Sequence, residues 1–257
     1  MINGKDAYYI AGHTGMVGSA IVQNYNKWGD ICIGKTHEQL ELTNFNAVCE
    51  FFSHYNFDYV IVAAARVGGI KDNDTYPAEY LMNNISIAYN IIRSAYTHKI
   101  KKLLYLGSSC IYPRDCPQPI KEEYLLTGPL ESSNQWYAMA KIAAIKMCQA
   151  YRKQYGCNYI TAMPCNLYGV GDTHDLERSH VIPALIKRFH LAKKNKSPFV
   201  ECWGTGNAIR EFLYVDDLAR AVSLVMDVYN ENEPINIGSE EEISIKNLAD
   251  IIKNVVG

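Results

Sequence analysis

The feature that most constrains the fold is a loop in which Gly12, Gly15 and Gly18 are spaced three residues apart. The loop joins an apolar run at 7–11 to an amphipathic segment at 16–27. In a strand–turn–helix unit the first glycine permits the tight turn, the second lets backbone approach a pyrophosphate, and the third lets the helix pack closely on the strand. The helix N-terminus adds free N–H groups and partial positive charge. The loop therefore predicts a dinucleotide site formed by Gly12, Thr14, Gly15, Met16, Val17 and Gly18.

Short apolar runs alternate with longer amphipathic segments along the next part of the chain. The pattern predicts strands at 30–34, 59–63, 102–107 and 158–163, and helices at 44–55, 77–98 and 136–155. Nearly all-apolar strands separated by helices indicate a parallel sheet that is covered on both faces. With right-handed crossovers, this gives an α/β Rossmann fold with a doubly wound parallel sheet.

The pattern becomes less regular after residue 165. It predicts helices at 181–193, 216–229 and 244–256, and strands at 199–203 and 210–214. We therefore predict that residues 1–165 form a Rossmann domain that carries the dinucleotide site. Residues 166–257 form a mixed segment, in which a smaller C-terminal substrate lobe is combined with elements that return to the Rossmann core.

Charge and composition exclude several classes of partner. The 25 basic and 27 acidic residues leave a net charge of -2, which does not favour nucleic acid or a membrane surface. No apolar run reaches the ~18 residues of a membrane span, and the N-terminus has no signal-peptide pattern, so we expect a cytoplasmic protein. The eight cysteines lack the spacing of a zinc site, so we predict reduced thiols and no metal.

The residues that follow the second predicted strand bear on the choice of cofactor. An acidic residue at this position would bind the ribose 2′-hydroxyl of NAD. This chain instead has the sequence GKTH at 34–37, in which Lys35 and His37 suit a 2′-phosphate. The sequence therefore favours NADP(H), although Glu38 lies close enough to leave NAD open.

A tyrosine and a lysine four residues apart form the candidate catalytic pair. Tyr137 and Lys141 share one face of a predicted helix. A nearby ammonium favours phenolate, so we predict that Lys141 lowers the pKa of Tyr137. Ser108 follows the fourth predicted strand, whose end, with Leu106 and Gly107, should face the cofactor. Tyrosine and serine hydroxyls at this crevice suit proton transfer to a carbonyl oxygen during hydride transfer.

These residues together resemble the extended short-chain dehydrogenase/reductase superfamily. Further motifs narrow the resemblance to the GDP-L-fucose synthase family, and the similarity covers nearly the whole chain. The motifs are AGHTGMVGSA at 11–20, ARVGGI at 65–70, LGSSCIYP at 106–113, NLYG at 166–169, SHVIPA at 179–184 and REFLYVDD at 210–217.

The resemblance implies conversion of GDP-4-keto-6-deoxy-D-mannose to GDP-L-fucose, with epimerisation at C3 and C5 and NADPH-dependent reduction at C4. Tyr137 would protonate the C4 oxygen, Lys141 would hold the nicotinamide ribose, and Ser108 would bind the C4 oxo group. Cys110 and His180 would be the base and acid that invert C3 and C5. The resemblance also implies a homodimer. It places Asn166, Leu167 and His180 by the nicotinamide, and Arg188, Trp203 and Arg210 at the GDP group.

The chain departs from the family pattern in two respects. Thr14 and His37 stand where the family commonly has arginines at the 2′-phosphate, so we expect a weaker preference for NADP. The sequence also ends at Gly257, whereas the family usually continues for several dozen residues. That stretch normally completes the sugar-nucleotide lobe, so we expect the lobe to be incomplete here.

Two other functions are compatible with these residues. One is a 4-reductase or epimerase/reductase for another GDP-4-keto sugar, such as a 6-deoxyheptose, but Cys110 and His180 argue against reduction alone. The other is a non-catalytic nucleotide-binding protein, against which Tyr137 and Lys141 argue. A 4,6-dehydratase is disfavoured because no acidic pair accompanies Ser108.

Overall fold

The computed structural model describes residues 6–175, 179–202 and 204–257. Its strands are β1 (Ala7–Ala11), β2 (Ile31–Ile33), β3 (Tyr59–Val62), β4 (Lys102–Leu106), β5 (Tyr159–Pro164), β6 (Asn166–Tyr168), β7 (Ile209–Tyr214), β8 (Ile235–Ile237) and β9 (Glu242–Ser244). Its helices are α1 (Met16–Trp28), α2 (Phe45–Ser53), α3 (Ile70–Thr75), α4 (Pro77–Thr97), α5 (Gln135–Tyr155), α6 (Val181–Asn195), α7 (Val215–Val228) and α8 (Ile245–Val256). No helix within these ranges is long and apolar enough to cross a membrane.

The main sheet has six parallel strands in the order β2-β1-β3-β4-β5-β8. The chain first adds β2 on one side of β1 and then returns to add β3 on the other side. The ends of β1 and β3 therefore form the topological switch point, where ligands bind in folds of this kind. The predicted doubly wound Rossmann fold is confirmed.

Side chains from alternate positions of the strands cover both faces of the main sheet. Tyr9, Val60 and Leu103 pack against α2, α4 and α5 on one face. Ile10 and Leu104 pack against α1 and α7 on the other face. Burial on both sides stabilises the strand ends that carry the candidate site.

The segment after β5 contributes to two parts of the molecule. Its strand β8 pairs with β5, and its helix α7 packs against α1 beside the main sheet. The remainder forms a small sheet in the order β6-β7-β9, with α6 and α8 packed together through Leu185, Leu248 and Ile252. The small sheet thus lies directly after the carboxyl end of β5.

The prediction of a strand at 199–203 is wrong for residues 199–202, which are irregular, and Trp203 lies outside the described residues. The apolar side chains there suggested a strand, but both edges of β7 are already paired, with β6 and β9. Phe199 is 77% exposed as a result. The sequence analysis also missed α3, β6, β8 and β9, which are too short to show a clear period.

Candidate active site

Two glycines of the loop between β1 and α1 are required by the packing of the backbone. Gly12 has φ of +84°, and a Cβ there would lie 2.8 Å from the backbone nitrogen of Ala64. A Cβ on Gly18 would come within 2.0 Å of the Gly12 carbonyl oxygen. Both positions therefore need glycine to hold α1 tightly against β1 and β3.

Gly15 differs, because a Cβ there would meet only the Gly12 oxygen, at an ordinary 3.5 Å. Gly15 is exposed and is the N-cap residue of α1, and no side chain caps that end of the helix. The open N-terminus fits an anion, since its N–H groups and dipole attract negative charge. The space in front of Gly15 is thus suited to the pyrophosphate of a dinucleotide.

The two cations predicted for the 2′-phosphate have different surroundings. The Lys35 ammonium lies 5.9 Å from the centre of the Tyr55 ring. His37 instead places Nδ1 3.0 Å from a Glu41 carboxylate oxygen, at the protein surface. Because Glu41 offsets any charge on His37, Lys35 is the stronger candidate for binding a phosphate.

His13 is a residue of the same loop that the sequence analysis did not select. Its ring packs on Gly34, where a Cβ would lie 2.1 Å from His13 Cγ. Its buried Nδ1 has no hydrogen-bond partner in the described chain. An unpartnered buried nitrogen beside the glycine loop is consistent with a polar ligand at this place.

Helix α5 places Tyr137 and Lys141 on its face toward β4. The Lys141 ammonium donates a 2.7 Å hydrogen bond to the Leu106 carbonyl oxygen, and the residue is only 3% exposed. It lies 5.6 Å from the centre of the Tyr137 ring and 4.8 Å from that of Tyr105. Gly107 continues β4 by donating to the Ala162 carbonyl oxygen at 2.8 Å.

Burial dominates the acid–base properties of this pair. It raises the pKa of Tyr137 well above 10.0, and the neighbouring Cys110, Tyr105 and Tyr80 act in the same direction. Burial also lowers the pKa of Lys141 to about 8, which Cys110 opposes. The predicted lowering of the Tyr137 pKa is therefore wrong. Tyr137 is a neutral phenol, which is the form that donates a proton to a carbonyl oxygen.

Ser108 and Cys110 follow β4 and complete the cluster with the tyrosine and the lysine. Ser108 Oγ accepts a 3.4 Å hydrogen bond from the Cys110 N–H at the start of a short 3₁₀ turn, Ser109–Ile111. Burial raises the pKa of the Cys110 thiol, while Ser108, the Lys141 charge and Asn134 oppose the rise. Asn134 was missed by the sequence analysis. Its only sequence signal is its place at the N-cap of the Tyr137 helix.

The Tyr137 ring is supported by α4, which also holds the loop after β3. The Tyr80 ring packs edge-on against it, with centroids 6.4 Å apart, and the Tyr80 hydroxyl donates to Asp72 at 2.5 Å. Asn84 holds the same loop by bonding both the N–H and the carbonyl of Arg66. Tyr80 and Asn84 are buried polar residues of α4 that the sequence analysis did not select.

His180 comes from a different element and is not in hydrogen-bond or ion-pair contact with Cys110 in the described chain. It is the N-cap residue of α6, and its Nδ1 lies 3.8 Å from an Asp172 carboxylate oxygen. Asn166, on β6, donates to the Glu211 carbonyl oxygen at 2.9 Å, and Leu167 packs against the core beside α7. The structure therefore brings together four of the five predicted catalytic residues.

Two of the three residues predicted to bind GDP lie in the small lobe. Arg188, on α6, donates to the Glu201 carbonyl oxygen at 3.2 Å. Arg210, on β7, donates to the carbonyl oxygen of its neighbour Ile209 at 2.7 Å. The third, Trp203, lies outside the described residues. A guanidinium group binds a diphosphate through paired N–H donors, which is the contact predicted for these two arginines.

Comparisons with known proteins identify the family of this chain. The model of the NAD dependent epimerase/dehydratase family matches residues 8–238. GDP-L-fucose synthase 1 of Arabidopsis thaliana is 54% identical over 97% of this chain and 77% of its own length. A GDP-L-fucose synthetase from Naegleria fowleri bound to NADP superimposes with a TM-score of 0.91 at 30% identity, over 99% of this chain and 78% of that one. A GDP-mannoheptose C4 reductase from Campylobacter jejuni with NADP bound superimposes with a TM-score of 0.89 at 35% identity, over 100% of this chain and 87% of that one.

Proposed function

This chain belongs to the NAD-dependent epimerase/dehydratase family, and we propose that it converts GDP-4-keto-6-deoxy-D-mannose to GDP-L-fucose. The observation that carries the proposal is the Cys110 thiol, which lies beside Tyr137, Lys141 and Ser108; the Cys110 N–H donates to Ser108 Oγ at 3.4 Å, and the Lys141 charge opposes the rise in the thiol pKa that burial causes. A simple 4-reductase needs a proton donor for the C4 oxygen but has no use for a second acid–base group there. The relative from Arabidopsis thaliana is named as a synthase of this product, GDP-L-fucose.

The reduction uses the groups on α5 and at the end of β4. When bound at the glycine loop, NADPH supplies a hydride to C4. Tyr137 donates its phenolic proton to the C4 oxygen as negative charge develops there, and the Ser108 hydroxyl holds that oxygen. Lys141, fixed by the Leu106 carbonyl, is placed to bind the nicotinamide ribose.

The epimerisation uses Cys110 and His180. The C4 ketone acidifies the protons on C3 and C5, so a base removes each proton and an acid returns one to the opposite face. Cys110 is the base and His180 the acid, and they come from different elements of the fold. Because burial raises the pKa of the thiol, the Lys141 charge and the hydrogen bonds of Ser108 and Asn134 are needed to stabilise the thiolate.

Product analysis tests the proposed function. We expect this chain to oxidise NADPH when GDP-4-keto-6-deoxy-D-mannose is added, and NMR to identify the product as GDP-L-fucose. A product that is reduced at C4 but not inverted at C3 and C5 would show a 4-reductase. NADPH binding without turnover would show a nucleotide-binding protein.

NADP(H) is the cofactor, and we expect NADPH to bind more tightly than NADH. Lys35 attracts the 2′-phosphate, so Lys35→Asp should reduce the preference by about tenfold or more, which is about 1.4 kcal/mol. Fluorescence titration with both cofactors measures it. Lys153→Asp, at the opposite end of the sheet, is the matched control and should leave the preference unchanged. Equal affinities in the unmodified protein would contradict the assignment.

The glycine loop permits a separate test of cofactor binding. Gly15→Ala should weaken NADPH binding about tenfold, since its methyl group points into space meant for phosphate, while the free energy of unfolding changes by less than about 1 kcal/mol. Gly18→Ala should lower the free energy of unfolding by about 1–3 kcal/mol or more, because its methyl group meets the Gly12 carbonyl. Titration and thermal denaturation distinguish the two. Equal destabilisation by both substitutions would show that Gly15 is needed only for packing.

We also propose a cytoplasmic homodimer. All eight cysteines are free, which fits a reducing compartment. Tyr96 and Tyr155 stack with centroids 4.4 Å apart on the outer side of α4 and α5, and both are exposed, as is Met139. An exposed apolar face of this kind is typical of an interface. Light scattering should give twice the 29.0 kDa mass of the chain, and a monomer would contradict the proposal.

A further inference from the structure

Asp172 is a buried carboxylate beside His180. The Asp172 side chain is only 8% exposed, and its Oδ2 has no hydrogen-bond partner in the described chain. Its Oδ1 accepts from the Thr173 N–H at 2.8 Å and lies 3.8 Å from His180 Nδ1. Burying a charged carboxylate is costly unless a cation or donor compensates. Among the described residues, the His180 imidazole is the ion-pair partner that lies beside it.

Two glycines fix the position of Asp172. Gly171 has φ of +90°, and a Cβ there would lie 3.5 Å from Met16 Cα at the start of α1. A Cβ on Gly169 would lie 2.5 Å from a methyl group of Val215. The loop after β6 therefore packs closely on α7 at Gly169, and it contacts the start of α1 at Gly171. These contacts hold the backbone of the loop that carries Asp172.

His180 is arranged to receive this carboxylate. It is the N-cap residue of α6, but its side chain does not bond the N–H groups of that helix. Half of its side chain is exposed, and the Nδ1 edge faces Asp172. The imidazole is thus used neither as a helix cap nor as a core residue, and its Nε2 edge is left for a ligand.

We propose that Asp172 is a positioning residue for His180, an inference that rests on the proposed epimerase function. Its carboxylate, 3.8 Å from Nδ1, attracts that edge of the ring, which leaves Nε2 for the sugar and stabilises the imidazolium when it forms. In the return step the carbanion electron pair takes the proton from Nε2–H, and the imidazole becomes neutral. Solvent then returns a proton to His180, and Asp172 stays ionised throughout, as in other His–Asp pairs.

The test uses the whole chain and measures deuterium uptake at C3 and C5 of the 4-keto sugar in deuterated water. Asp172→Asn should slow uptake and epimer formation by about tenfold or more, with KM and NADPH affinity nearly unchanged. Asp172→Glu should restore part of the rate, because it keeps the charge. In a His180→Asn background, Asp172→Asn should add no further loss, because the two residues act as one unit.

Asp175→Asn is the matched control, since Asp175 lies in the same loop with an exposed side chain. It should leave uptake at the rate of the unmodified protein. Wild-type-like uptake in Asp172→Asn would overturn the inference. If Asp172→Asn slowed uptake equally in the His180→Asn background, the inference would also be overturned, because Asp172 would then act independently of His180. A parallel loss of NADPH affinity would overturn it too, because it would indicate a role in cofactor binding. No uptake in the unmodified protein would instead overturn the proposed epimerase function, and the inference with it.

Discussion

Tyr137→Phe lowers the rate of C4 reduction by about 10²–10⁴-fold, which is the usual contribution of a general acid. The substitution removes the only atom with which this side chain can protonate the C4 oxygen. It keeps the ring that packs edge-on against Tyr80, so the fold should be retained. Stopped-flow measurement of NADPH oxidation gives the rate, and thermal denaturation checks the fold.

Tyr159→Phe is the control for removing a buried phenolic hydroxyl. Tyr159 is 1% exposed at the start of β5, away from the strand ends that carry the site, and its hydroxyl has no partner in the described chain. Its loss should leave the rate of reduction unchanged. Tyr137→Phe should still allow deuterium exchange at C3 and C5, because Ser108 still holds the C4 oxygen. Near wild-type turnover in Tyr137→Phe would show that another group donates the proton.

Lys141→Met is expected to abolish reduction and to make the fold more stable. Burial lowers the Lys141 pKa from 10.5 to about 8, so the native state binds this proton more weakly than the unfolded state does. Below pH 8 the native state keeps the buried lysine charged. This lowers the free energy of unfolding by about 3 kcal/mol, because each unit of pKa shift corresponds to ~1.4 kcal/mol. Lys141→Met also removes the hydrogen bond to Leu106. A hydrogen bond from a charged donor contributes about 1.5–3 kcal/mol, so its loss offsets part of the gain in the free energy of unfolding. A net gain of about 1 kcal/mol corresponds to a rise of about 2–4 °C in Tm.

The stabilisation expected from Lys141→Met depends on pH. As pH rises from 8 toward 10.5, the unfolded state loses its extra proton, so the penalty on the native protein disappears. The difference in Tm between Lys141→Met and the unmodified protein should therefore be largest at neutral pH and should shrink above pH 10. A lower Tm for Lys141→Met at neutral pH would show that the lysine stabilises the fold.

The sequence predicts those parts of the site that depend on neighbouring residues in one segment. The three-residue spacing of the glycines and the four-residue spacing of Tyr137 and Lys141 place side chains without tertiary information. Ser108 could be located because it follows a buried strand, whose end faces the crevice in this fold. The same reasoning predicted that the first five strands belong to one parallel sheet.

The remaining properties depend on contacts between distant segments. The raised pKa of Tyr137 results from burial among β4, α4 and α5, and no spacing in the sequence reports the depth of burial. The burial of Asp172 beside His180 depends on how its loop packs on α1 and α7, which the sequence does not show. The apolar run at 199–202 suggested a strand, but whether a strand forms depends on a free neighbouring edge, which β7 does not offer.

We propose that one site contains both the epimerase and the reductase groups. To test this, GDP-4-keto-6-deoxy-D-mannose is incubated with the protein in deuterated water, without NADPH, and C3 and C5 are followed by NMR. We expect deuterium at both carbons with the unmodified protein and little with Cys110→Ala, because that variant lacks the base. Wild-type-like exchange in Cys110→Ala would reduce Cys110 to a structural thiol. No exchange by an unmodified protein that reduces C4 would contradict the claim and leave a 4-reductase.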